Sequence, residues 1–114
     1  MHSLTNVLAI VAIAATNVAA FDGRMTWFNP GLGACGGRDN DGSPVVALNP
    51  AQYAGGANCG RWITIQANGR TTAARVVDLC PGCPNGGIDV SPVIFDDIAP
   101  LSVGVVDPVH WFFQ

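Results

Sequence analysis

Four cysteines constrain this chain more than any other feature. Cys35, Cys59, Cys80 and Cys83 all follow an uncharged, apolar opening segment. An even cysteine count in a short exported chain implies disulfides, here two, with three possible connectivities. The opening segment reads MHSLTNVLAIVAIAATNVAA. It has no charged side chain, an apolar run from Val7 to Ala15, and small residues at Val18 and Ala20. Small residues three and one before a cut suit signal peptidase, and the run is too short to span a bilayer. The pattern predicts a signal peptide over residues 1–20 and a single mature domain over residues 21–114. Once the signal is cleaved, no membrane association is expected. A domain of this size buries somewhat over ~60% of its unfolded surface, so cross-links help it.

Charge narrows the partners. The five basic residues are all Arg and the eight acidic residues all Asp, for a formal net charge of −3. That balance argues against nucleic acid, whose binders carry clustered positive charge. Uncharged polysaccharide and protein partners stay open. There is no Asn-x-Ser/Thr acceptor for N-glycans.

No internal repeat and no linker is visible along the chain. Short strand-like runs are bounded by Gly, Pro, Asn and Asp. They cover Arg24–Phe28, Val45–Leu48, Arg61–Ala67, Arg70–Asp78 and Val105–Phe113, the last broken by Pro108. Ile63, Ile65 and Ala67 alternate with Thr64 and Gln66, and Asn68-Gly69 is the strongest short hairpin signal. Asn49-Pro50 and Ser91-Pro92 each pair a cap residue with Pro at the first helical position. After the second, Ile94, Phe95 and Ile98 fall at helical spacing. Many short strands with two brief helices point to a small closed β-barrel, all-β with short helices.

The stretch VVDLCPGCPNGGIDVSP, residues 76–92, concentrates the chemistry. A redox Cys-x-x-Cys needs a following helix N-terminus, and Pro84-Asn85-Gly86-Gly87 is not one. Zinc needs four ligands; there is one Cys-x-x-Cys pair, and the mature part has a single histidine, His110. No metal and no cofactor is expected. A cysteine nucleophile needs a free thiol and a histidine base, and His110 sits in a strand-like run. A stapled turn fits best. Asp78 and Asp89 flank it. Asp at a strand end makes local turn bonds, and Asp near a helix start is favoured by the dipole. Glycoside cleavage also asks for two carboxyl groups, and without Glu any acid is an Asp.

Met25-Thr26-Trp27-Phe28-Asn29-Pro30, Gly33-Ala34-Cys35-Gly36, Val46-Ala47-Leu48-Asn49, Asn58-Cys59-Gly60, Val76-Val77-Asp78-Leu79-Cys80 and Ile88-Asp89-Val90-Ser91-Pro92 occur in that order. Together they resemble the barwin-like double-psi β-barrel superfamily, which includes expansins, barwins, rare-lipoprotein-A-like proteins and small one-domain secreted members. The resemblance implies a six-stranded double-psi β-barrel with an open groove across one face. It implies the disulfides Cys35–Cys59 and Cys80–Cys83. It maps the expansin groove residues onto Thr26, Asp78 and Asp89, with Asp89 at the position of the endoglucanase general acid. The base position falls on Asn29, an amide, and an expansin groove aromatic falls on Cys80. The second, carbohydrate-binding domain of a full expansin is not seen before the chain ends at Gln114. Tight binding to crystalline cellulose is therefore not expected.

The resulting expectation is a secreted, extracellular monomer that binds cell-wall polysaccharide through Thr26, Asp78 and Asp89, without clear hydrolytic activity. Trp27 and Tyr53 offer stacking faces, and each also suits a core position. Two alternatives stand beside it. One is a secreted protein-binding module, an effector or an inhibitor of papain-like cysteine proteases. The other is a weak glycan-cleaving enzyme with Asp89 as its catalytic acid.

Overall fold

The computed structural model describes residues 19–114, so the expected signal peptide lies outside the described residues except for its last two. Six strands close a barrel in the order β1-β5-β2-β4-β3-β6. They are β1 (Ala20–Trp27), β2 (Val45–Leu48), β3 (Trp62–Ala67), β4 (Arg70–Leu79), β5 (Ile88–Val90) and β6 (Val106–Phe113). Short helices, Pro50–Tyr53 and Pro92–Asp96, follow β2 and β5.

Local chemistry accounts for much of this. Asn49 caps the first helix: its side chain accepts the Gln52 N–H at 3.2 Å. Asn68 and Gly69 turn the β3–β4 hairpin with φ of 53° and 71°, the pair of positive values that a type I′ turn requires. Ser91 occupies the cap position before the second helix but makes no side-chain cap bond. Its hydroxyl donates instead to the Ser43 carbonyl and ties the long β1–β2 loop to the helix start.

Two elements differ from the sequence reading. β6 runs unbroken through Pro108. Its β1 pairing shifts register between Gly23 and Met25, and its β3 pairing begins only at His110. Pro108 thus sits where no ladder N–H is called for. β5 carries no strand signal, being three residues between Gly87 and Ser91. It is a strand because β1 pairs with it on one side and β2 on the other.

The structure also contains a repeat that residue patterns do not show. Each half of the chain runs strand, long loop, strand, short helix, strand: β1-β2-β3, then β4-β5-β6. Parallel pairing of β1 with β5 matches that of β4 with β2, and antiparallel β1–β6 matches β4–β3. Each long loop crosses to the other half's first strand at a glycine. A Cβ on Gly33 would lie 2.3 Å from the Val77 carbonyl oxygen, and one on Gly86 would lie 2.3 Å from that of Asp22. Only glycine permits such approaches. Inside, Met25, Leu48, Ile63, Ile65, Phe95 and Trp111 are fully buried. The Trp111 indole N–H donates to the Gly86 carbonyl at 2.9 Å, so the core holds the second loop in place.

Candidate functional site

Four neighbouring strands each bring one residue to the same level of the barrel wall. Thr26 pairs with Asp89 between β1 and β5, Asp89 with Ala47 between β5 and β2, and Ala47 with Asp78 between β2 and β4. Residues paired across strands share a face. The alternating neighbours Met25, Ile88, Val46, Leu48 and Val90 fill the core, so the row looks outward. Thr26, Asp78 and Asp89 are half-buried, and buried Ala47 forms a floor between the two carboxylates.

Asp78 reaches the row through a bulge. Val46 pairs with Val76, but the next residue, Ala47, pairs with Asp78, so Val77 is the extra residue. In an unbroken register Ala47 would face Val77, and Asp78 would fall opposite Leu48, pointing inward. The Asp78 carboxylate is anchored at one oxygen, Oδ1, which accepts the backbone N–H groups of Ala34 and Leu79, each at 2.8 Å. Gly33, pressed onto Val77, delivers Ala34 to that position.

Asp89 is the electrostatically unusual group. Thr26 Oγ1 donates to its Oδ1 at 2.9 Å. Loss of solvent on burial pushes the Asp89 carboxyl above its ordinary value, the Thr26 hydrogen bond opposes that rise, and the Asp78 charge adds to it. With the Thr26 hydroxyl donating to Asp89, the row offers chiefly carboxylate acceptors, which ligand hydroxyls can donate to.

The structure therefore brings Thr26, Asp78 and Asp89 together and leaves out the two aromatic candidates. Trp27 pairs with Val90, on the opposite face of β1 from Thr26, and its indole N–H donates to the Leu101 carbonyl at 3.0 Å. Tyr53 packs against the core, its hydroxyl 3.7 Å from the Cys59 sulfur. Trp27 and Tyr53 are both half-buried and pack against the core. The Asn29 amide donates to both oxygens of Asp41, at 3.0 and 3.1 Å. Sequence reasoning missed Asp41, whose only local signal is an Asp-Gly turn. It also missed Trp62, an exposed aromatic on β3.

Both disulfides implied by the resemblance are present. Cys35–Cys59 and Cys80–Cys83 have S–S distances of 2.00 and 2.07 Å. The second begins two residues after Asp78, and the Cys80 N–H donates to the Leu48 carbonyl at 2.8 Å, so the staple fixes the strand end that carries the carboxylate. Three cavities, of about 270, 500 and 220 Å³, have none of the row residues in their walls. Thr26, Asp78 and Asp89 each keep part of their surface in solvent. Among the described residues, no helix is long and apolar enough to cross a membrane.

Two parallel strand pairs, two crossing loops and closure by six strands define a double-psi β-barrel. The Barwin family pattern matches residues 43–109, and the chain belongs to the Barwin family. Among its relatives is "Allergen Asp f 7" of Aspergillus fumigatus, 37% identical over 98 residues, covering 81% of this chain and 36% of the allergen. The chain thus spans about a third of that relative's length. The solved Streptomyces papain inhibitor superposes with a TM-score of 0.75 at 31% identity, covering 87% of this chain and 98% of the inhibitor. An expansin of Clavibacter michiganensis, solved in complex with cellohexaose, also has a TM-score of 0.75. It is 24% identical, covers 84% of this chain and 50% of the expansin, and shows the shared fold.

Proposed function

We propose that the protein is a secreted module that binds a glycan chain along the Thr26–Asp89–Ala47–Asp78 row without cleaving it. The carrying observation is the row itself: four strands and a bulge converge to set two carboxyl groups and a hydroxyl outward at one level. An open strip suits an extended polymer better than a small metabolite, which pockets enclose. The Asp89 carboxylate would accept from sugar hydroxyls, and Asp78 would accept through its remaining oxygen. Cleavage needs a second group to activate water. Asn29, at the base position the resemblance indicates, is an amide, and its N–H groups are engaged by Asp41.

Polysaccharide pull-down with an Asp89→Asn control tests this reading. Retention on a wall glycan by the parent protein, loss in the variant and no new reducing ends are expected; equal retention of both would refute it. Export with removal of residues 1–20 belongs to the same proposal. Mass spectrometry of protein from culture medium should find Phe21 at the N-terminus, and a retained leader would contradict it.

A second reading is inhibition of papain-like cysteine proteases. It is supported by the likeness to the Streptomyces papain inhibitor across nearly that protein's whole length. It expects slowed papain hydrolysis of a peptide substrate, with Asp89→Asn inhibiting as well as the parent. No inhibition at high micromolar concentration would end it.

A further inference from the structure

We propose that the glycan surface continues past Asp78 into a cleft that binds a sugar carboxylate, so that the favoured ligand is a uronate-containing chain. This rests on the glycan reading above and names its substrate class.

The cleft, about 270 Å³, is lined by Arg38, Asp39 and Arg75 together with the Cys35–Cys59 disulfide. Its other walls include Val76 and Val77, the residues of the bulge that turns Asp78 outward. The charged residues of that lining are two arginines and one aspartate. Neither Arg38 nor Arg75 makes an ion pair or a side-chain hydrogen bond among the described residues, where the one recorded ion pair is His110–Asp22. Arginine carries five N–H donors in a planar fork that matches a carboxylate. The two side chains, both exposed, hold that capacity unspent.

A sugar-sized contact lies beside them. Trp62 on β3 pairs directly with Arg75 on β4, so the two side chains share the outer face. Trp62 is 40% exposed, and an exposed indole offers a flat apolar face to a ring's C–H groups. Arg75 stands three residues before Asp78 on the same strand, a span of roughly 10 Å. Charge sets the register along this strip. Asp78 and Asp89 repel a carboxylate, whereas Arg38 and Arg75 attract one and outnumber the single Asp39 beside them. A chain laid across the surface would put neutral sugars over the aspartates and an acidic sugar against the arginines. The overall charge of −3 makes general attraction of polyanions an unsuitable explanation for such binding.

The test is calorimetric titration of the full mature protein with three probes at moderate salt. These are an oligogalacturonide, a neutral cello-oligosaccharide of equal length, and a capped Gly-Glu-Gly peptide. The oligogalacturonide should bind about tenfold more tightly than the neutral chain, the worth of one charge-assisted contact pair. Arg75→Gln and Arg38→Gln should each collapse that ratio towards one. Trp62→Ala should weaken the oligogalacturonide about tenfold. Exposed, unbonded arginines predict unchanged melting temperatures, which serves as the folding control. A ratio near one in the parent protein, or a ratio untouched by both arginine variants, overturns the inference while leaving neutral-glycan binding, and so the proposed function, standing. Peptide binding as tight as the oligogalacturonide overturns the sugar assignment of the cleft. Failure of the neutral chain alone, with galacturonide binding abolished by Arg75→Gln but not by Asp89→Asn, upholds the cleft and refutes the row.

Discussion

The Thr26–Asp89 pair allows a prediction with a worked sign and size. Burial disfavours the charge of Asp89 and holds its carboxyl above the ordinary value of 3.8 in the folded protein. Between the unfolded and folded values the native state binds the extra proton. Its contribution to stability is therefore complete below about pH 3.8 and is lost as pH rises through the folded value. Once ionised, the carboxylate relies on the Thr26 hydroxyl, 2.9 Å away. A hydrogen bond to a charged group contributes about 1.5–3 kcal/mol, and one between neutral groups about 0.5–1.5 kcal/mol. Thr26→Val should thus cost about 2 kcal/mol at pH 7 and about half that once Asp89 is protonated. In an Asp89→Asn background the amide oxygen still accepts from Thr26 but carries no charge. There Thr26→Val should cost about 1 kcal/mol at every pH. The coupling of roughly 1 kcal/mol corresponds to about 4–8 °C in a domain of this size. Thermal unfolding of the four proteins in the cycle, from pH 3 to pH 8, measures it. Asp89→Asn alone should melt no lower than the parent at pH 7, because it removes a charge that burial disfavours. Additive effects that do not change with pH would show that Asp89 is not electrostatically strained, and the argument for its role as an adapted binding group would fall.

Two further outcomes follow from the loops. Gly33→Ala sets a Cβ 2.3 Å from the Val77 carbonyl oxygen, so the loop must move. We expect a loss of about 1–3 kcal/mol in denaturant unfolding together with weakened glycan binding, since Ala34 would leave Asp78. Gly37→Ala, with nothing within 4 Å of the added carbon, is the control, and equal effects of the two would be contrary evidence. Replacing Cys35 and Cys59 by Ala opens a loop of sequence separation 24 and should cost roughly 3.5 kcal/mol. Opening Cys80–Cys83, separation 3, should cost roughly 2 kcal/mol on the same chain-entropy account. The smaller loss should nonetheless do more harm to binding, because that staple adjoins Asp78; urea unfolding and pull-down, run in parallel, would expose the opposite order.

What the sequence disclosed and what it withheld divide along contact range. The β3–β4 hairpin, the Asn49 cap and the apolar run Val45–Leu48 are written in adjacent residues and were legible there. β5 was not, because three residues have no period and its pairing comes from β1 and β2. Pro108 read as a break because its neighbours' register shift is invisible in one strand alone. Residue patterns singled out Asp78 and Asp89 as a pair beside a stapled turn. Thr26 entered only through the family resemblance, since its partner lies 63 residues away. Periodicity cannot register the Val77 bulge that turns Asp78 outward. Trp27 drew attention as an aromatic near Thr26, yet adjacent residues on a strand face opposite ways. Trp62, hidden in a run that reads as ordinary strand, is the ring left exposed.

The repeated halves explain why the site lies where it does. The operation that exchanges β1 with β4 and β5 with β2 also exchanges Thr26 with Asp78 and Asp89 with Ala47. The row straddles that axis, and its chemistry arises where the halves differ: a hydroxyl against a carboxylate, a carboxyl against a methyl. Ala47 is therefore as consequential as the acids. It is 2% exposed and sits between Asp89 and Asp78, with paired Cβ atoms about 5 Å apart. Ala47→Asp would make the second of these exchanged pairs alike and place three carboxyl groups in line. Like charges directly opposite one another are destabilising, and a buried unpaired charge costs several kcal/mol more. The variant should melt well below the parent at pH 7 and recover much of the difference at pH 4, where protonation relieves the repulsion. Ala47→Ser, similar in size and uncharged, should show little of that pH dependence. If Ala47→Asp melted like the parent at neutral pH, residues 78, 47 and 89 would not share one crowded face, and the shared outward face on which the binding proposal depends would be wrong.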